Sequence, residues 1–165
     1  MLPDKLSMPG QPYPKTLVLN LNGLLVHQVY NLGSGVTLYK RPGLSVFLQR
    51  LSRNYELCVF GMTDSGNIQE FCEAMDPKNE MIHGRFGRES TLLKDGAYVK
   101  DLSYLNRPVK DIIYVDFSDD DVKFHRENCI IIPKFDGDKE DRSLMDLLPF
   151  LERKYFSFFS TKFYF

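Results

Sequence analysis

The sequence predicts an α/β domain: a mainly parallel sheet flanked by helices, with a small β-hairpin insertion. Three apolar runs, Thr16–Leu21, Tyr55–Phe60 and Asp111–Asp116, each read as a buried strand, and amphipathic stretches separate them. The pair Asp95-Gly96, set between two strand-like runs, supplies the hairpin.

Taken in order, residues 1–15 hold four prolines and read as an extended arm. The first strand follows at 16–21. Gly33 and Gly35 mark a loop before a short strand at 36–40. Pro42 is expected to open a helix, where its missing N–H costs nothing. Leu44, Phe47, Leu48 and Leu51 then form one apolar helical face. After the strand Tyr55–Phe60, the side chains of Thr63, Asp64 and Ser65 offer capping oxygens to a helix that runs to Met75 and stops at Pro77.

Residues 82–100 change character and read as an insertion built on the runs Thr91–Lys94 and Ala97–Lys100. A third core strand, Asp111–Asp116, and a fourth short one, Cys129–Ile132, follow. The last helix, 141–154, presents Leu144, Leu147, Leu148 and Leu151 on one face, and Pro149 is expected to kink it. The domain is therefore expected over 16–154. Residues 155–165 form an aromatic tail with seven aromatics in eleven residues.

Composition excludes several classes of function. A chain of 165 residues fits one domain, and 43% hydrophobic with 26% charged residues is the balance of a soluble globular protein. The net charge of −1 gives no global field for nucleic acid or anionic lipid. Cys58, Cys72 and Cys129 are expected to be buried thiols, and no metal-ligand spacing joins them to His27, His83 or His125. No run approaches the roughly 18 apolar residues of a membrane span. The first fifteen residues are neither an apolar signal region nor an Arg-rich presequence, so any targeting segment is expected to be cleaved, internal or absent.

The chemistry concentrates in Thr16–His27, TLVLNLNGLLVH. This reads as a buried strand running into a phosphotransferase-type loop that carries amides, Asn20 and Asn22, at the two positions where such a loop needs carboxylates.

Five segments carry a family resemblance: TLVLNLNGLLVH, KRPGLSVFLQRLSRNYELCVF, GRFGRESTLLKDGAYVKDLSYLNR, DIIYVDFSDDDVKFHREN and DRSLMDLLPFLE. They span about 16–152. In that order the chain resembles the haloacid dehalogenase superfamily, specifically its NLI-interacting-factor-like branch of RNA polymerase C-terminal-domain phosphatases. KDLSYLNR and the amide-bearing motif lean toward the branch's presequence-receptor members in the mitochondrial inner-membrane translocase.

The resemblance implies a Rossmann-like haloacid dehalogenase fold. It also implies a first motif Asp-x-Asp in which the first Asp attacks phosphorus and the second protonates the leaving oxygen, with magnesium held beside them. Asn20 cannot be that nucleophile and Asn22 cannot supply that proton. The hydroxyl of the second motif aligns with Gly61, the lysine of the third with Lys100, and the acidic pair of the fourth with Asp116 and Phe117. The expectation is a pseudo-phosphatase with no cofactor, weak residual magnesium binding being the alternative. Lys100 is read either as a retained catalytic lysine or as the partner of Asp116 in a structural ion pair. Asp119, Asp120 and Asp121 are read as a capped helix start, against a displaced cation site.

Binding is the expected use of such a fold. Arg85, Arg88, Lys94 and Lys100 lie on the hairpin insertion, which resembles the family's partner-contacting flap. Asp119, Asp120, Asp121, Asp136, Asp138, Glu140 and Asp141 are candidate acidic lining for a basic presequence, against the reading of a solvated acidic loop. In the tail, Phe156, Phe158, Phe159, Phe163, Tyr164 and Phe165 either fold back on the domain or dock into a neighbour or the membrane interface. The leading expectation is a structural, protein-binding subunit of a mitochondrial inner-membrane assembly. It has no membrane span or anchor of its own and no nucleic-acid partner, with peripheral membrane contact through the tail. Presequence binding in the import translocase is the alternative, and an active metal-dependent phosphatase the remote one.

Overall fold

The computed structural model describes residues 1–4, 13–33, 35–154 and 163–164. Its centre is a six-stranded sheet. In chain order the elements are β1 (Lys15–Asn20), β2 (Val26–Asn31), β3 (Gly35–Lys40), α1 (Leu44–Leu51), β4 (Tyr55–Phe60), α2 (Ser65–Met75), β5 (Ile82–Phe86), β6 (Leu92–Lys94), β7 (Ala97–Val99), β8 (Ile112–Asp116), β9 (Cys129–Ile131), α3 (Ser143–Lys154) and β10 (Phe163–Tyr164). The sheet runs β10-β9-β8-β1-β4-β5 and every neighbouring pair in it is parallel. The order reverses at β1, which has β4 on one side and β8 on the other, so the crevice at the carboxyl ends of β1 and β8 is where such a sheet places its site.

Strand alternation sorts the core into two clusters. Leu17, Leu19, Leu57, Val59 and Val115 join the buried faces of α1, α2 and α3. Val18, Cys58, Phe60, Tyr114 and Ile112 join Leu102, Leu105 and Val122 on the other side. All three α-helices thus serve one cluster, while 3-10 turns and loops cover the second.

Several elements differ from the sequence reading. α1 begins after Gly43, which adopts φ 78°, so Pro42 precedes the helix instead of opening it. Asp64 caps α2 by accepting from Asn67 N at 3.1 Å, as its sequence suggests. The insertion read over 82–100 is smaller than that: Ile82–Phe86 is an edge strand of the main sheet, paired with β4, and the hairpin is β6–β7 alone. Of a second hairpin, β2–β3, the sequence reading anticipated only β3, as the short strand at 36–40, and missed β2 and its pairing. Val26–Asn31 interleaves Val and Tyr with polar residues and packs mainly on its partner strand, so it lacks the continuous apolar signature of the core strands.

Residues 119–121 form a turn, not a helix start. α3 begins at Ser143, whose N–H is capped by Asp141 Oδ1 at 2.9 Å, and it runs through Pro149.

The first residues of the arm belong to the core. Leu2 is buried in the second cluster beside Gly84, where a Cβ would lie 2.9 Å from Leu2 Cδ2 and 2.6 Å from Cys58 Sγ. Arg107 Nη1 and Asn106 Nδ2 hold the Pro3 and Leu2 carbonyls at 2.9 and 3.2 Å. In the tail, Phe163 and Tyr164 form β10 beside β9. Phe156, Phe158, Phe159 and Phe165 lie outside the described residues.

Candidate functional site

Asn20 ends β1, Asp116 ends β8, and Lys100 directly follows β7. All three are buried, Lys100 completely. Lys100 Nζ meets Asp121 Oδ2 at 2.7 Å, Tyr114 Oη at 2.7 Å and Asn20 Oδ1 at 3.1 Å, with Asp116 Oδ2 3.9 Å away. Those three close partners use the three N–H donors of the ammonium. The ion pair that the sequence suggested with Asp116 is therefore shared, and its shorter arm goes to Asp121.

Asn20 is equally committed. Its Nδ2 donates to Asp116 Oδ1 at 2.8 Å and to the Asn22 carbonyl at 3.0 Å. With the amide turned the other way, its oxygen would face a carboxylate and its NH₂ an ammonium, so the neighbours fix its orientation. Asp116 Oδ1 also accepts from Phe117 N at 2.7 Å, and Oδ2 accepts from Tyr114 Oη at 2.7 Å. Burial pushes the Asp116 carboxyl up to about 6, against the opposing pull of Lys100 and the Tyr114 hydroxyl. Burial and the adjacent Asp116 and Asp121 charges also raise the Tyr114 phenol well above its ordinary value.

Two glycines beside this network sit in tight quarters. Phe117 packs on Gly23, whose φ is +83°. A Cβ on Gly23 would lie 2.5 Å from the Phe117 ring, so both conformation and room require glycine there. At Gly61 a Cβ would lie 3.0 Å from Ile68 Cδ1 and 3.2 Å from Leu21 Cβ, a tight fit for any hydroxyl-bearing side chain. Thr63, two residues on, accepts from Asn67 Nδ2 at 3.1 Å.

The residues present do not fit a resident magnesium ion. Mg²⁺ needs near-octahedral oxygen ligands and binds through free carboxylate oxygens. Here both Asp116 oxygens already accept protein N–H or O–H groups, the Asn20 oxygen faces an ammonium, and Asp121 Oδ2 is paired with that same ammonium; the buried Asp121 Oδ1, left without a partner, is a single oxygen beside a cation and not a ligand set. Among the described residues no group of three or more His, Cys, Asp or Glu is placed to hold a metal ion.

Beside the network lies a groove of about 570 Å³ between the β2–β3 hairpin and α2, with Leu21, Asn22 and Gly61 at its base. Val26, Tyr30 and Leu38 line the hairpin side and Asn67, Glu70 and Phe71 the helix side; Lys40 and Arg88 oppose Asp64 and Glu70 in charge. Among the described partner-binding candidates read from sequence, Arg88 alone is in its lining. Asp119, Asp120, Asp121, Asp136 and Asp138 are not in its lining.

Asp121 is tied to Lys100, and Asp119 lies 3.9 Å from Arg126. Asp120, Asp136 and Asp138 sit exposed in local turns, Asp136 and Asp138 accepting the N–H groups of Asp138 and Glu140. Asp141 belongs to a buried clasp: it takes Arg41 Nε and Nη2 at 2.7 and 2.8 Å, while Arg41 also donates to the Leu24 and Pro133 carbonyls. Arg85 lies in β5 and bonds Gln69 and Asn79, and Lys100 is internal, so neither presents a charge on the hairpin.

Sequence reasoning missed Tyr114 and Arg41. Tyr114 gives no signal within an apolar strand, whereas an arginine immediately before Pro-Gly invites the question of which carbonyls it holds.

A parallel sheet whose strand-end residues Asn20 and Asp116 gather around Lys100 is the arrangement of a haloacid dehalogenase-type domain. The sequence profile of the NLI interacting factor-like phosphatases matches residues 15–160, and the chain belongs to that family. It is 41% identical over 152 residues to the mitochondrial import inner membrane translocase subunit tim50 of Aspergillus fumigatus, covering 92% of this chain and 30% of that one. It is 34% identical to the human subunit of the same name, covering 92% and 43%. The chain thus spans less than half the length of these curated relatives. Among solved structures, Fcp1, an essential RNA polymerase II CTD phosphatase, shares the fold at TM-score 0.63 and 18% identity, over 86% of this chain and 50% of that one. The 3-deoxy-D-manno-octulosonate 8-phosphate phosphatase of Moraxella catarrhalis shares it at TM-score 0.57 and 12% identity, covering 85% and 86%. Among the described residues no helix is long and apolar enough to cross a membrane.

Proposed function

We propose that this chain is a non-catalytic, protein-binding domain of a mitochondrial inner-membrane assembly, the protein-import translocase, working without a metal or other cofactor. The observation that carries the non-catalytic reading is the bond from Asn20 Nδ2 to Asp116 Oδ1 at 2.8 Å. The strand-end position that would attack phosphorus holds a hydrogen-bond donor, spent on the carboxylate that would help hold a metal. An amide offers no anionic oxygen, and Asn22 offers no titratable proton. The placement in mitochondria and in the translocase is supported by the names of the relatives. The groove between β2–β3 and α2 is the surface we assign to a protein segment, because it combines apolar walls with charges of both signs.

Two measurements test this reading. Incubation with a chromogenic phosphate ester and magnesium should give no turnover above background, and turnover by wild-type protein would overturn it. Mild-detergent purification followed by mass spectrometry should recover import-translocase subunits in fixed stoichiometry. Recovery of only unrelated chains would remove the translocase assignment. Presequence recognition is the more specific alternative within that assembly. It is distinguished by cross-linking of basic presequence peptides to Tyr30 or Glu70, with yield falling as salt rises.

A further inference from the structure

Asn22-Gly23 is the most labile kind of peptide sequence for non-enzymatic deamidation, because glycine offers no side chain to hinder attack. In that reaction the Gly23 nitrogen attacks Asn22 Cγ. The N–Cγ bond forms, the Cγ–Nδ2 bond breaks, and the Gly23 amide proton leaves with ammonia. Water then opens the cyclic imide at Cγ to give aspartate, or at the main-chain carbonyl to give isoaspartate. The first step requires the Asn22–Gly23 peptide plane to rotate so that its nitrogen faces the side chain.

That plane is pinned at both ends. Its oxygen, Asn22 O, accepts from Asn20 Nδ2 at 3.0 Å, and its N–H, on Gly23, donates to Val26 O at 2.8 Å. The next carbonyl, Gly23 O, accepts from Phe135 N at 2.8 Å, and the Phe117 ring lies against Gly23 Cα. Asn22 itself is exposed to water at the base of the groove, so neither water nor space limits the reaction.

We infer that Asn22-Gly23 is a latent deamidation site held closed by Asn20. The amide at position 20 donates to the Asn22 carbonyl, and a carboxylate there has no N–H to do so and would release it. The two asparagines are thereby coupled: the first preserves the second. Conversion would place a carboxylate at the groove's base, and isoaspartate would add a methylene to a main chain that is bonded at three successive groups.

The test is peptide mapping after prolonged incubation at neutral pH, comparing the native chain, the urea-unfolded chain and folded Asn20→Leu. Because opening must precede attack, the native chain should deamidate at Asn22 about tenfold or more slowly than the unfolded one. Asn20→Leu should lose most of that protection while remaining cooperatively folded. Equal native and unfolded rates would overturn the inference, as would full protection in folded Asn20→Leu. If that variant fails to fold, folded Asn20→Asp takes its place, because a carboxylate cannot donate to Asn22 O. Loss of protection at Asn22 is expected there too, and full protection would refute the role of Asn20.

Discussion

Asn20 and Asp116, 96 positions apart in the chain, are joined by an amide-to-carboxylate hydrogen bond of 2.8 Å inside the crevice where β1 and β8 end. An aspartate at position 20 could not donate this bond and would set a second anion against a buried first one. We therefore expect Asn20→Asp with Asn22→Asp to regain no measurable hydrolysis of a chromogenic phosphate ester. The double variant should instead lose about 1–3 kcal/mol of stability, read by denaturant unfolding. Robust turnover by it would show that only the first motif separates this chain from an enzyme.

Lys100 is the sole cation in contact with Asp116 and Asp121 among the described residues, and it is fully buried. Lys100→Met would keep the length of the side chain and remove its charge. Two carboxylates would remain facing each other with their counter-ion gone, and such a loss costs about 3–5 kcal/mol. Urea unfolding should show this as a shift in midpoint with little change in slope.

The raised carboxyl of Asp116 gives the fold a particular pH dependence. Its value in the folded chain, about 6, lies above its ordinary 3.8, so the folded state holds this proton more tightly than the unfolded one. Its contribution is complete below the unfolded value and is lost as pH rises through about 6, a change on the order of 3 kcal/mol. Asp141 behaves oppositely. Burial pushes it up, but the bonds from Arg41 and Ser143 outweigh burial and hold it below 3.8, so its contribution is lost as pH falls through the acid range. Stability measured between pH 4 and 6 should fall less steeply with rising pH in Asp116→Asn than in wild type.

Arg41 is the second buried cation, and its planar fork spans Asp141, the Leu24 carbonyl and the Pro133 carbonyl. A lysine can satisfy one of these at a time. Arg41→Lys should therefore cost about 2–4 kcal/mol despite conserving charge. The loss should loosen both the loop after Asn22 and the segment before α3, a pattern that hydrogen exchange at Gly23 and Phe135 would display.

Asp76 closes the turn between α2 and β5 by accepting the N–H groups of Glu80, Met81 and Ile82 at 3.0, 2.8 and 2.8 Å. Burial raises its pKa, but these bonds and Arg85 overcome that and leave it below its ordinary value. Asp76→Ala strands the buried Ile82 N–H and should destabilise the chain by about 1–3 kcal/mol. Thermal unfolding would register it.

Much of the fold was legible from local signals. Continuous apolar runs marked β1, β4 and β8, periodicity marked the apolar faces of α1 and α3, and Asp64 marked the start of α2. The short or half-exposed strands were harder. β2 packs mainly on its hairpin partner, and β5 carries the mixed sequence Ile-His-Gly-Arg-Phe because an edge strand buries only alternate residues. In the site, the resemblance drew attention to Asn20, Asn22, Gly61, Lys100, Asp116 and Phe117, and the chain brings Asn20, Lys100 and Asp116 together. It gave no warning of Tyr114 or Arg41, whose polar atoms matter only through partners far along the chain. The acidic residues read as a groove lining sit in turns and ion pairs, and none of Asp119, Asp120, Asp121, Asp136 and Asp138 lines the groove between β2–β3 and α2, since a run of like charges in sequence says nothing of the surface it reaches.

By itself, the sequence determined that the chain folds as an α/β domain and that positions 20 and 22 carry amides. Those facts rest on periodicity and on the chemistry of single side chains, which neighbours along the chain suffice to express. Only the tertiary structure decided how the amides are used: Asn20 oriented between Lys100 and Asp116, and Asn22-Gly23 pinned against Val26. Hydrogen bonds depend on distance and direction; the sheet sets both by bringing the ends of β1 and β8 to one crevice, and the segment after the β6–β7 hairpin brings Lys100 to it.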